Sequence, residues 1–192
     1  MASRAVRPLP PGQYLTEKWP VLHYGGVPRF DPATWDFRVF GLVEEPVRLT
    51  YQEFRALPSA TITCDVHCVT AWSRVGVTFE GVLTKTVLKL VRARPDAKFA
   101  MVHAEGGYEA NVPLEYLLAD DAVLAHRADG ADLTPEHGWP LRLVIPRLYF
   151  WKSVKWVRGV ELLAVDRPGF WERNGYHMLG DPWKEQRYSS PW

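Results

Sequence analysis

Apolar and polar positions alternate along Trp35-Asp-Phe-Arg-Val-Phe-Gly-Leu-Val, and the run stops at Glu44-Glu45-Pro46. A period of two puts one face of an extended segment in the core and the other in water, so this stretch predicts a β-strand. Thr61 to Cys68 is rich in β-formers and predicts a second strand. Lys98–His103, Leu141–Ile145 and Val154–Leu163 predict three more. Helical signals are fewer and shorter. Thr50 can cap a helix starting at Tyr51, with Glu53 completing a capping box. Leu83 to Val91 is amphipathic with Thr84 as its cap, and Pro113-Leu-Glu-Tyr-Leu-Leu opens a third short helix. The polar run after Cys68 reads as a turn leading to Phe79-Glu-Gly-Val82, and Gly106-Gly107 as another. Strands outnumber helices and do not alternate with them regularly. That predicts an α+β domain of mixed β-sheets and short helices rather than a doubly wound sheet.

The ends of the chain differ from its middle. Residues 1–34 are punctuated by Pro8, Pro10, Pro11, Gly12, Pro20, Gly25, Gly26, Pro28 and Pro32, which predicts an extended arm. Residues 35–192 form one domain, and Phe170 to Trp192 is too aromatic for disorder, so it is expected to pack over the core as a C-terminal strap. A net charge of +1 gives no global field for nucleic acid or an anionic membrane. No window holds the ~18 apolar residues of a membrane span, and the N-terminus lacks the apolar core of a secretory signal. Two cysteines in 192 residues fit a reducing compartment, so a cytoplasmic protein is expected.

Candidate chemistry concentrates in three places. The first is Cys64-Asp-Val-His67-Cys68. Strand alternation puts Cys64, Val66 and Cys68 on one face and Asp65 and His67 on the other, which disfavours a Cys–His chelate and favours one functional thiol. The alternative is a pair of buried small hydrophobes. The second is His137 to Val160, which carries Arg142, Arg147, Lys152, Lys155 and Arg158 and no acid. Cations interleaved with Trp and Tyr suit an anion with an aromatic part. The third is the tail, where Tyr176 and His177 can reach a site as hydrogen-bond donors.

Two blocks, Asp65-Val-His-Cys68-Val-Thr-Ala-Trp-Ser73 and the run from His137-Gly-Trp-Pro-Leu-Arg142 through Trp151-Lys-Ser-Val-Lys-Trp156 to Trp171-Glu-Arg-Asn-Gly-Tyr176, resemble the catalytic domain of sulfite-oxidase-like molybdopterin oxidoreductases. The resemblance implies a sulfite-oxidase-type fold from about Trp35 to Tyr188 and a molybdenum–molybdopterin cofactor in its mononucleotide form. It implies that Cys68 ligates molybdenum, a soft thiolate on a sulfur-rich metal site, while Cys64 is structural. His23, Tyr24, His103, His137, Arg142, Phe150, Trp151 and Lys152 would bind the cofactor, with Arg142 and Lys152 on its phosphate. Tyr176 would hydrogen-bond the reacting oxygen, and Trp72 and Trp151 would wall the cavity. The implied activity is two-electron oxygen-atom transfer on a small or peptide-borne S- or N-oxide, or on an oxyanion. The sulfite-oxidising branch carries an Arg a few residues after its cysteine. Here Val69-Thr-Ala-Trp-Ser73 fills those positions and the first Arg is Arg74, which turns the expectation from sulfite towards sulfoxides. No dimerisation domain, haem domain or twin-arginine leader is legible, so a monomer with an unidentified electron-transfer partner is expected. A molybdopterin-binding module without turnover, and a structural zinc or interaction domain, remain as alternatives.

Overall fold

The computed structural model describes residues 8–189. Residues 1–7 of the arm and 190–192 of the strap lie outside the described residues. The elements in chain order are β1 (Tyr14–Leu15), β2 (Asp36–Gly41), β3 (Val47–Thr50), α1 (Tyr51–Arg55), β4 (Ala60–His67), β5 (Trp72–Leu83), α2 (Thr84–Leu88), β6 (Phe99–Ala104), β7 (Glu109–Pro113), α3 (Leu114–Leu118), β8 (Val123–Ala128), β9 (Ala131–Asp132), β10 (Arg142–Val144), β11 (Val157–Leu163) and α4 (Phe170–Arg173).

The strands form two mixed sheets. One follows the order β1-β5-β8-β10, with β4 also on β5 and β9 also on β8. The other follows β3-β2-β11-β6-β7, with β11 parallel to β2 and antiparallel to β6. The sheets share one apolar layer. Leu124 and Leu143 of the first sheet enter it, as do Phe37, Val39, Val102 and Val160 of the second. The neighbours Val123, Ala125 and Val144 turn to the opposite face and join Cys68, Trp72, Phe150 and Trp151 in a second cluster. The centre of the first sheet, β8 and β10, is therefore buried on both faces, and its second face is where the strap and the thiol meet.

Burial on both faces removes the polar alternation that marks a strand. β8, apolar throughout its first three residues, gave no such signal, and neither did β7, buried at its three central positions; β3 alternates but is only four residues long. β5 runs twelve residues from Trp72, so the turn that Cys68 opens is only four residues long and not a polar run to Phe79. The capping box at α1 forms, with Thr50 Oγ1 accepting from Glu53 N–H at 3.3 Å and Glu53 Oε2 accepting from Thr50 N–H at 2.8 Å. Thr84 does not cap α2: Leu83 holds that position, and the buried Thr84 hydroxyl donates instead to the carbonyls of Leu117 and Ala122. Among the described residues no helix is long and apolar enough to cross a membrane.

Candidate active site

Cys68 opens the turn between β4 and β5. Its N–H donates to the Trp72 carbonyl at 2.9 Å and its carbonyl accepts from Ala71 N–H at 3.0 Å. Ala71 adopts φ +75°, an uncommon conformation for a residue with a Cβ. Cys68 is 8% exposed, and Thr70 Oγ1 donates to its Sγ at 3.2 Å. Cys64 lies on the same face, and burial pushes its thiol up to about 12, so it stays protonated. His67 turns away, with Nδ1 2.8 Å from Ser73 Oγ, and burial lowers its pKa. Among the described residues no three His, Cys, Asp or Glu side chains are grouped to hold a metal, which leaves the zinc alternative without a ligand set.

Cys68 lines a cavity of about 340 Å³, within the range that holds a cofactor-sized ligand. The arm contributes Trp19, His23 and Tyr24 to its walls, and the strap contributes Trp171 and Tyr176. His23 Nδ1 lies 3.0 Å from the Gly25 carbonyl and its ring sits edge-on to Trp156; Tyr24 packs on Phe170. Tyr176 stacks on Trp171 with ring centroids 4.9 Å apart. Burial raises its pKa, which keeps its phenol a proton donor.

Arg142 is the strongest electrostatic feature. It is 2% exposed, and its guanidinium lies 4.0 Å over the Phe150 ring. Nη1 donates to the His137 carbonyl at 3.0 Å, while the buried Nε finds no partner. Among the described residues no carboxylate pairs with it, and burial pulls its pKa down to about 9. A buried cation without a counter-ion is costly, so this geometry calls for an anion in the cavity. Lys155 lines the same cavity, its Nζ donating to the carbonyls of Leu22 and Glu136 at 3.0 and 2.6 Å. Burial, with Arg142 beside it, lowers its pKa to about 7.

Lys152 does not join them. Its fully buried Nζ is held by Asn111 O, Asn111 Oδ1, Met178 O and Glu172 Oε1, at 2.8, 2.7, 2.7 and 2.6 Å, which saturates its three protons. Residues Phe150–Lys152 form a 3₁₀ turn, in which successive side chains diverge by about 120°. Phe150 therefore meets Arg142, Trp151 Nε1 donates to Glu172 Oε1 at 2.8 Å, and Lys152 is buried away from the cavity. Of the two lysines, Lys155 lines the cavity and Lys152 does not. Gly180, at φ +79°, lies so close to Trp151 that a Cβ there would be 2.7 Å from the ring.

Two other expected residues stand elsewhere. His137 does not line the cavity but packs on Trp19, which does, with Nε2 3.2 Å from the Trp19 carbonyl. It acts on the site through its own carbonyl on Arg142. His103 lies outside it altogether. Strand alternation sends Val102 and Ala104 into the layer between the sheets and His103 to the outer face, between Glu161 at 3.0 Å and Glu109 at 3.4 Å. Lys155 was read only as one of five cations in the acid-free run, and the cavity-lining residues that sequence reasoning missed are Thr70, Trp19 and Tyr108, whose hydroxyl donates to the Trp151 carbonyl at 2.8 Å.

The Lys155 geometry has a testable pH dependence. Its pKa is about 7 folded against an ordinary 10.5. Between those values the unfolded chain binds more protons, so this site costs most stability below pH 7 and the cost fades as pH rises. An anion reverses the preference by favouring the ammonium. Sulfate, whose charge is constant, is expected to bind the cofactor-free protein more weakly as pH rises through 7. Lys155→Met should flatten that trend in a calorimetric titration.

Residues 24–171 match the family described as oxidoreductase molybdopterin binding domain. The chain is 45% identical over 182 residues to the uncharacterized oxidoreductase YuiH of Bacillus subtilis, covering 94% of this chain and 92% of that protein. It is 29% identical to YedZ1 of Azospira oryzae, provisionally named a protein-methionine-sulfoxide reductase subunit, over 90% of this chain and 67% of that one. Arabidopsis thaliana sulfite oxidase is 26% identical, with 82% of this chain matching 49% of that protein. Among solved structures, the sulfane dehydrogenase SoxCD of Paracoccus pantotrophus shares the fold at a TM-score of 0.69 and 23% identity, over 80% of this chain and 43% of that one. The mixed sheets, the thiol-lined cavity and the extent of these matches agree: the chain belongs to the oxidoreductase molybdopterin binding domain family.

Proposed function

We propose that this chain catalyses two-electron oxygen-atom transfer on a neutral S- or N-oxide, small or peptide-borne, using a molybdenum–molybdopterin cofactor in its mononucleotide form. The carrying observation is that a buried thiol and a buried guanidinium without a carboxylate share one aromatic cavity. Molybdenum supplies the redox chemistry when the cofactor is bound. Cys68 gives it a soft anionic ligand, steadied by Thr70. Arg142 and Lys155 hold the phosphate, and His137 sets Arg142 through its carbonyl. His23, Tyr24, Phe150 and Trp151 flank the pterin. Tyr176 donates its phenol proton in a hydrogen bond to the substrate oxygen.

Charge supports a neutral substrate over sulfite. With Arg142 and Lys155 engaged on phosphate, the cavity wall around Cys68 is Val69, Thr70, Trp72, Trp171 and Tyr176, which offers an oxyanion no cation. Arg74 does not line it and pairs with Asp129 at 2.6 Å. A cytoplasmic monomer with an external electron donor completes the proposal.

The test is metal analysis of protein from a host that makes the cofactor, followed by dye-linked assays. Molybdenum near one equivalent is expected, with reduction of methionine sulfoxide, dimethyl sulfoxide or trimethylamine N-oxide exceeding sulfite oxidation. Bound pterin without turnover on any of them would make the chain a carrier, and zinc without molybdenum would overturn the proposal.

A further inference from the structure

Both the arm and the strap converge on the turn that carries Cys68. Gln13 Nε2 donates to the Cys68 carbonyl at 3.0 Å, and Gln13 Oε1 accepts from Ser73 Oγ at 2.9 Å. Tyr14 N–H donates to the Ala71 carbonyl at 2.8 Å. From the strap, Arg187 Nη1 donates to the Val69 carbonyl, while Nη2 reaches the carbonyls of Pro11 and Gly12 at 3.3 Å each. Three of the turn's four carbonyls are thus held from outside the β4–β5 hairpin. Arg187 is well packed, its side chain 14% exposed and its guanidinium 5.2 Å over the Tyr149 ring. Gly12, at φ +67°, permits the approach, because a Cβ there would lie 2.8 Å from Glu185 Oε1 and 3.0 Å from Arg187 Nη2.

We propose that Gln13 and Arg187 are positioning residues for Cys68, forming a clamp that fixes the direction in which the thiol is presented to the cavity. Neither touches the sulfur; both act through turn carbonyls. The hairpin alone anchors only the two ends of the turn, and Ala71 within it is held in an uncommon conformation. Conformations of that kind persist where surrounding contacts over-determine them. A group that must meet a metal has to be held to about 0.5 Å, and partners that orient metal ligands typically contribute 10–100-fold in affinity or activity.

The proposal deepens the assignment of Cys68 as ligand, and its test avoids relying on that assignment. The probe is the reaction rate of 5,5′-dithiobis(2-nitrobenzoic acid) with the cofactor-free full chain. A Cys64→Ala background reports Cys68 alone, and a Cys68→Ala background reports Cys64. Gln13→Glu keeps the shape and the acceptor for Ser73 while removing the donor to Cys68. Arg187→Ala removes the other arm, and Arg187→Lys restores only one of its two directions. The expected result is that Gln13→Glu and Arg187→Ala each speed the Cys68 reaction by about tenfold or more. Arg187→Lys should fall between, and Cys64 should keep its wild-type rate throughout. An unchanged Cys68 rate would overturn the clamp. So would equal acceleration at both thiols, because general loosening does not select one. Metal retained with full turnover in Cys68→Ala would instead refute the ligand assignment and leave the labelling result standing.

Discussion

Replacing Arg142 with methionine raises the melting temperature of the cofactor-free protein and lowers its hold on the cofactor. The two effects have opposite signs because one charge is responsible for both. Without an anion, the buried guanidinium carries its desolvation cost against a single hydrogen bond to the His137 carbonyl. Methionine keeps the apolar contact with Phe150 and Trp19 and removes the charge. Replacing buried charges by well-packed apolar groups stabilises by about 1–4 kcal/mol. For a chain of this size that is roughly 2–4 °C per kcal/mol, readable by calorimetry of the cofactor-free protein. In the loaded protein the same substitution removes one partner of a buried charge pair, at about 2–5 kcal/mol. That is a loss of retention of roughly 30-fold to several thousand-fold, measured as molybdenum and pterin remaining after dialysis. A variant that lost stability without cofactor would show that Arg142 is structural and that the anion belongs elsewhere.

Cys68→Ser separates the thiolate from the phosphate hold. Serine is nearly isosteric, and its hydroxyl can accept from Thr70 as the thiol does. The fold should change by no more than about 1 kcal/mol. Arg142 and Lys155 are untouched, so pterin should still bind. Turnover should fall to the assay floor, because a protonated hydroxyl is a poor substitute for a soft thiolate ligand. Full turnover with molybdenum bound would refute the assignment. Loss of pterin along with activity would mean that the thiolate, and not the cation pair, dominates retention.

Much of this was legible in the residues. β2 announced itself by alternation, and α1 by its capping box. Cys68 stood out as a thiol beside polar residues, while Arg142 lay in an unusual acid-free run from whose five cations only the family resemblance picked it. The doubly buried β8 escaped because nothing in it is polar before His126. The choice between Lys152 and Lys155 could not be made from sequence. Both lie in the same run, three residues apart, and only the 3₁₀ turn decides which ammonium meets Glu172 and which meets the cavity. His103 was misplaced for a related reason: a strand position reveals its parity but not which face of which sheet it will occupy.

Arg187, which holds the Cys68 turn, and Tyr176, whose phenol lines the cavity, are supplied late in synthesis. Cys68 leaves the ribosome 119 residues ahead of Arg187 and 108 ahead of Tyr176. At the usual 5–20 residues per second the thiol waits roughly 6 to 24 s for its last contact. β11, which completes the centre of the second sheet against β2, also arrives in that interval. During it the nascent chain displays a nucleophile and an aromatic wall with no cofactor to cover them. With part of the cavity wall still unmade, the proposed cofactor would find its complete site only on a nearly finished chain. The yield of active protein should depend on how well the cell keeps that early thiol reduced until the strap arrives.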